Sequence, residues 1–237
     1  MRHITKSACP IELQTYLQEN PDATWEQFKR EHASKIVKET IINDQEGICC
    51  YCEVDFLDPP DIHHMPDFRV EHFFPKDRNK LLNGENAHLT WSNLLGACHG
   101  GSQKAFNKTK RYTSPDLHCD AIKGKEEWTT TILNPLNIPA GIEIFSFKST
   151  DGEMMVSKNC PPELAQLAGN SIQLLNLNQE TYLKDARRVI IEVLEQQIVE
   201  ESETKTFEEA IEYLRQVHLY AAEKKNFFTC KSYVLNG

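Results

Sequence analysis

The stretch Gly47-Ile-Cys-Cys-Tyr-Cys-Glu-Val-Asp-Phe56, read together with Phe68-Arg-Val-Glu-His-Phe-Phe-Pro-Lys76, decides the fold. In the first segment Cys49 and Cys52 bracket two residues in a short strand and tight turn. Two thiolates on such a turn make one half of a structural zinc site. Two buried, reduced cysteines are the plainer alternative. Cys50 should point away from the Cys49/Cys52 side. The second segment has the aromatic and β-branched make-up of a strand, ended by Pro75. Within it an acid and an imidazole are adjacent: Glu71 could hold a cation while His72 takes a proton. Such a pair is weak evidence alone.

Working outward, Leu57–Asp67 (LDPPDIHHMPD) reads as loop. Leu89-Thr-Trp-Ser-Asn-Leu-Leu95 reads as an apolar turn or helix start, and the Asn93 side chain could hold an imidazole in one tautomer. Cys98 and Cys119 can complete a four-cysteine site with Cys49 and Cys52. His99 and His118 are rival ligands, so the fourth ligand stays open. Cys119-Asp120-Ala-Ile-Lys123-Gly124 looks like the start of a short helix. It places Asp120 where it could reach the same cation as Glu71.

The flanks are helical. Thr24 and Gln27 fit a capping box, and Trp25, Phe28, Ile36, Val37 and Ile41 recur at roughly helical spacing, giving a helix to about Asn43. Beyond Thr131, Ile142–Val156 carries Asp151-Gly152 at the turn of a hairpin. Helical patterning follows from Pro162 to about Glu200 and again from Thr206, where Glu209 completes a second capping box. The expected class is α+β, with segments 1–46 (helical), 47–131 (the chemistry-bearing domain) and 132–237 (hairpin plus acidic helices, suited to docking a partner).

Composition bounds the reading. At 237 residues, 40% hydrophobic and 26% charged, the chain can bury a sizeable core, so wholesale disorder is excluded. No apolar run is long enough to span a membrane. The first residues lack the apolar core of a secretory signal, so a cytoplasmic, reducing location is expected. There the eight cysteines favour metal over disulfides. The net charge is −9, yet Arg69–Lys125 carries ten Lys/Arg against five Asp/Glu, a net +5 that leaves −14 elsewhere. Such an island suggests one face for a polyanion. Lys76, Lys104, Lys108, Lys110, Arg111 and Lys123 are the candidate phosphate contacts. Phe106 and Tyr112 could stack on bases or simply pack the loop.

In their order, the acid-His pair, the Asn, and Cys-Asp-x-x-Lys-Gly within a zinc-ribbon-like cysteine frame resemble the HNH endonuclease motif. More narrowly, ICCYCE, RVEHFFPK, LTWSNLLGAC and HCDAIKG look like the HNH nucleases of the Septu and retron-associated anti-phage systems, the PtuB family. The likeness covers about Gly47–Gly124. The final motif position is usually His or Asn; here it is Asp120, still a hard-oxygen ligand for Mg2+ or Mn2+. The resemblance implies a ββα-metal fold, with His72 as general base, Asn93 orienting it, and Glu71 and Asp120 holding Mg2+ or Mn2+. Zn2+ would sit on Cys49, Cys52, Cys98 and Cys119. It also implies a DNA or RNA substrate, an ATPase partner (PtuA-like) and, in retron systems, a reverse transcriptase with its RNA-linked DNA. A non-catalytic zinc module that binds nucleic acid and protein is the competing class; a Cys-His hydrolase is weaker still, for lack of an oxyanion signature.

Overall fold

The structure is a computed structural model that describes residues 1–57, 66–221 and 225–237. Most of the loop expected over Leu57–Asp67 lies outside these residues.

The organising unit is a short antiparallel pair, β1 (Arg69–His72) and β2 (Leu94–Ala97), in the register Arg69↔Ala97, Val70↔Gly96, Glu71↔Leu95 and His72↔Leu94. The side chain of Gln45, buried at the end of a helix, extends this pair. Its amide accepts from Gly96 N at 2.7 Å and donates to Gly96 O and Ile48 O, both at 2.9 Å. So close an approach requires glycine: a Cβ on Gly96 would lie 2.8 Å from the Phe68 ring and 3.1 Å from both the Gln45 amide nitrogen and Ile41. The cysteine turn docks on the same strand through Cys50 N to Gly96 O, 3.0 Å, and closes on itself at the Ile48↔Asp55 bridge. Cys49, Cys50, Tyr51 and Cys52 are all buried.

Three helices precede this unit: α1 (Ile11–Glu19), α2 (Trp25–Phe28) and α3 (Ala33–Asp44). The Thr24/Gln27 capping box forms as expected. The single helix expected from Thr24 to Asn43 is instead two. Lys29-Arg30-Glu31-His32 offers no apolar side chain to hold that turn on the core, and the Ser34 hydroxyl donates to the Lys29 carbonyl at 3.1 Å, taking up an acceptor at the end of α2. Leu89–Leu95 resolves into a 3₁₀ turn (Trp91–Asn93) followed by β2.

After the loop 99–118 comes α4 (Asp120–Lys123), then the second hairpin, β3 (Phe145–Phe147) with β4 (Met154–Val156). Helices α5 (Pro162–Leu174), α6 (Asp185–Glu201), α7 (Phe207–Arg215) and α8 (Phe228–Asn236) complete the chain. Helix α6 is entered through a π-type turn, and the Thr206/Glu209 box caps α7. The fold is α+β.

One hydrophobic core runs through several of these segments. It joins Met1 and Ile4, the cysteine turn, Leu95, Cys119, Phe145, Leu175, Ile191 and Cys230. The helical half also holds the cysteine frame by hydrogen bonds. Cys119 N donates to Leu175 O at 2.8 Å, and Phe227 N donates to Glu53 O at 2.8 Å, one residue beyond Cys52. Arg187, 1% exposed, fastens α6 to the second hairpin by donating to Gly152 O at 2.7 Å, Leu177 O at 2.9 Å and Asn178 Oδ1 at 2.9 Å. Among the described residues no helix is long and apolar enough to cross a membrane.

Candidate metal centre and adjoining cleft

The sulfurs of Cys49, Cys52, Cys98 and Cys119 converge, all within 4.8 Å of one another. Two pairs are closer: Cys49–Cys119 at 3.9 Å and Cys52–Cys98 at 3.7 Å. Tetrahedral zinc with Zn–S bonds of about 2.3 Å needs sulfurs about 3.8 Å apart, so the frame is compatible with structural zinc. Of the two rival ligands, only His99 is engaged away from the cluster. His99 Nδ1 lies 2.9 Å from Asp67 Oδ1, and His118 Nε2 lies 3.7 Å from the Cys98 sulfur, as a neighbour of the cluster. Cys50 is not one of the four, and burial pushes its thiol well up.

A cleft of about 320 Å3 opens beside this frame, lined among others by Arg69, Glu71, His72, Lys76, Asp120 and Lys125. Strand β1 supplies Glu71 and His72, and α4 supplies Asp120 from its first turn. Lys123, one turn further along α4, is 1% exposed and reaches back to β1, meeting Glu71 Oε1 at 2.9 Å and donating to His72 O at 3.2 Å. The Tyr51 hydroxyl donates to the same Oε1 at 2.8 Å. Burial first, and the neighbouring Asp120 charge second, push Glu71 up to about 8. Asp120 is paired with Arg69 Nε. Two buried carboxylates facing one cleft form a donor set that a divalent cation would satisfy.

The His72 ring is 6% exposed and stands edge-on to Trp25, centroids 5.5 Å apart. Its Nε2 lies 3.1 Å from the His88 carbonyl. A carbonyl only accepts, so Nε2 carries the proton and Nδ1 presents its lone pair. Burial pushes the imidazole down to about 3, so it is neutral at neutral pH.

The hydrogen bonds of the Asn93 side chain run to the backbone. Its amide donates to Phe74 O at 3.0 Å and Ala87 O at 2.7 Å and accepts from Phe74 N at 2.7 Å. It therefore clamps the two ends of the loop between the strands. One of these ends is Ala87, which precedes the His88 carbonyl that holds His72.

The expected phosphate contacts divide. Lys104, Lys108 and Lys110 are exposed on the loop, Lys110 paired with Asp185 at 2.6 Å. Lys76 sits at the cleft, 3.2 Å from Glu26. Arg111 and Lys123 are buried instead. Arg111 donates to Asp55 O at 2.6 Å, pairs with Asp67 at 3.1 Å and lies over the Phe106 ring, so Phe106 packs the loop. The base of this loop needs glycine at 100, where φ is +57° and a Cβ would meet His118 O at 2.0 Å.

The sequence alone does not single out Tyr51, His88, Trp25 or Gln45 as site residues. The position of Tyr51 inside Cys-x-x-Cys is the one available signal; nothing local marks the other three.

A paired strand and short helix present carboxylates and an imidazole beside a four-sulfur frame on an α+β fold, a donor set compatible with bound metal. No family model matches the chain. Over 214 residues it is 33% identical to the Escherichia coli protein "Retron Ec83 putative HNH endonuclease", spanning 81% of this chain and 79% of that one. The chain belongs to this family of retron HNH endonucleases.

Proposed function

We propose that the protein is a metal-dependent HNH endonuclease that hydrolyses phosphodiester bonds, built on a ββα-metal core of β1, β2 and α4 within segment 47–131. The observation that carries this reading is the meeting of Glu71, His72 and Asp120 in one cleft, with His72 Nε2 occupied by a carbonyl and Nδ1 left as a base. His72 takes the proton of the attacking water at Nδ1. The nearby phosphodiester charge raises the affinity of the ring for that proton. Glu71 and Asp120 would hold Mg2+ or Mn2+. Such an ion supplies charge stabilisation at the phosphate and leaving oxygens. Asn93 acts through the backbone loop, keeping the His88 carbonyl where it fixes the His72 ring. Lys76 and the exposed lysines of the 104–110 loop attract the backbone phosphates. Zn2+ on the four cysteines staples the core, since binding energy there is folding energy.

The retron relative and the motif likeness support a role in anti-phage defence, in the cytoplasm. There the nuclease would work with an ATPase of the Septu or retron type and, in a retron, with the reverse transcriptase and its RNA-linked DNA. The segment 132–237 is the proposed docking region.

The test is cleavage of plasmid DNA and of total RNA by wild type and His72→Ala. Each is run with Mg2+, Mn2+ or chelator, and with or without the co-expressed ATPase. The expected result is cutting that needs both metal and His72, with the mutant folded and zinc-loaded. Undiminished cutting by His72→Ala would remove the assignment. A folded, zinc-loaded wild type that binds nucleic acid but never cuts it would favour the non-catalytic zinc module.

A further inference from the structure

Tyr51 sits between the zinc-type ligands Cys49 and Cys52 yet sends its hydroxyl to Glu71, which lines the cleft, and it is 0% exposed. A phenol buried this deeply needs a hydrogen-bond partner, and its partner is Glu71 Oε1 at 2.8 Å. Lys123 meets the same oxygen at 2.9 Å. The two donors differ in kind. The ammonium neutralises the carboxylate and so competes with a metal cation for its charge. The phenol adds no charge; it fixes the direction in which the carboxylate points. Both donors fall on Oε1, and the remaining neighbour of the Glu71 carboxyl is Asp120, which lines the same cleft. Asp120 is itself bonded in sequence to Cys119, the fourth sulfur of the frame. Both carboxylates are thus set by the cysteine frame, Asp120 through a peptide bond and Glu71 through the Tyr51 hydroxyl.

We infer that Tyr51 is a positioning residue that couples the structural zinc turn to the catalytic cation, by aiming Glu71 at it. The inference rests on the reading of Glu71 as a ligand of that cation. Outer groups that orient a metal ligand are worth about 10–100-fold in metal affinity. Tyr51→Phe keeps the ring and removes only the donor.

The experiment measures Mn2+ binding to the zinc-loaded full chain by electron paramagnetic resonance of free Mn2+, for wild type, Tyr51→Phe and Glu71→Gln. Zinc content and thermal midpoint are recorded for each. Tyr51→Phe is expected to retain its zinc and weaken Mn2+ binding about tenfold. In turnover it should need more Mn2+ for half-maximal rate, with kcat recovering at saturation, a split that a general loss of structure would not give. If Glu71→Gln binds Mn2+ like wild type, Glu71 is not a ligand and the underlying reading fails with the inference. If Glu71→Gln weakens binding and Tyr51→Phe does not, the reading stands and the inference is overturned. Zinc loss from Tyr51→Phe would assign the hydroxyl to the stability of the turn and overturn it equally.

Discussion

At Lys6 a half-buried ammonium is held by backbone rather than by a carboxylate. It donates to the Trp91 carbonyl at 2.7 Å and to the Leu94 carbonyl, and lies 3.2 Å from the centre of the Trp91 ring. Burial pulls it down to about 7, against the opposing charges of Asp44, Cys9 and Cys50 around it. The unfolded chain therefore binds more protons than the native one between about pH 7 and the ordinary lysine value near 10.5. Stability contributed by this group rises with pH across that window and is flat below it. Lys6→Met should flatten the rise, a difference on the order of a few kcal/mol between pH 7 and 10. Urea unfolding of zinc-loaded protein at fixed pH values reads it; parallel curves for the two proteins would contradict the burial. Lys123 and Arg111 show why such residues are hard to place from sequence. Lysine and arginine are ordinarily exposed, so each reads as a phosphate contact. Their burial follows from partners distant in the chain, Glu71 for one and Asp67 for the other.

At the scale of elements, the cysteine turn is the part whose formation depends most on a bound ion. Four buried thiols gain little from one another as neutral groups, whereas a structural zinc contributes on the order of 10 kcal/mol or more in small domains. Cys52→Ser should lose zinc and lower the thermal midpoint together. Wild type treated with a strong chelator should follow it toward the same midpoint. A wild-type protein equally stable with and without zinc would contradict the assignment. Elements with local chemistry are legible in the sequence. Both capping boxes, the 145–156 hairpin and the short helix after Cys119 stand where the side chains indicate. Strand β2 is not legible, because Leu94-Leu-Gly-Ala97 is buried along its whole length and shows no alternation. It becomes a strand because β1 pairs on one side and the Gln45 side chain substitutes for a neighbour on the other. Helix α8 has no local signal either. Its first turn is fixed by Glu53, which accepts from Thr229 N at 2.8 Å from far away in the sequence.

Over the whole molecule the charge is divided, and the division bears on partners. Residues Glu192–Glu212 hold eight acidic side chains against one lysine. Val193, Val199 and Phe207 within this stretch, and Tyr213 just beyond, are exposed. The basic island lies in 69–125, where the cleft and the 104–110 loop are. The basic segment thus suits nucleic acid, and the acidic segment a protein surface that is basic and partly apolar. Such docking gains rate and selectivity from charge and affinity from the apolar side chains, so it should respond to both. Co-expressed with the proposed ATPase partner, the protein is expected to elute as one complex at micromolar concentration and low salt. Glu208→Lys combined with Glu212→Lys, both on the exposed side of α7, should slow association and make the complex fall apart at lower salt. The variant's own unfolding free energy should fall by no more than about 2 kcal/mol, the cost of a Lys in the first turn of α7 and of the lost Glu212 contacts to Arg215 and Gln216. Two separate peaks from the wild-type pair would argue against a stable complex. An unaltered complex from the charge-reversed pair would move the docking surface away from α7.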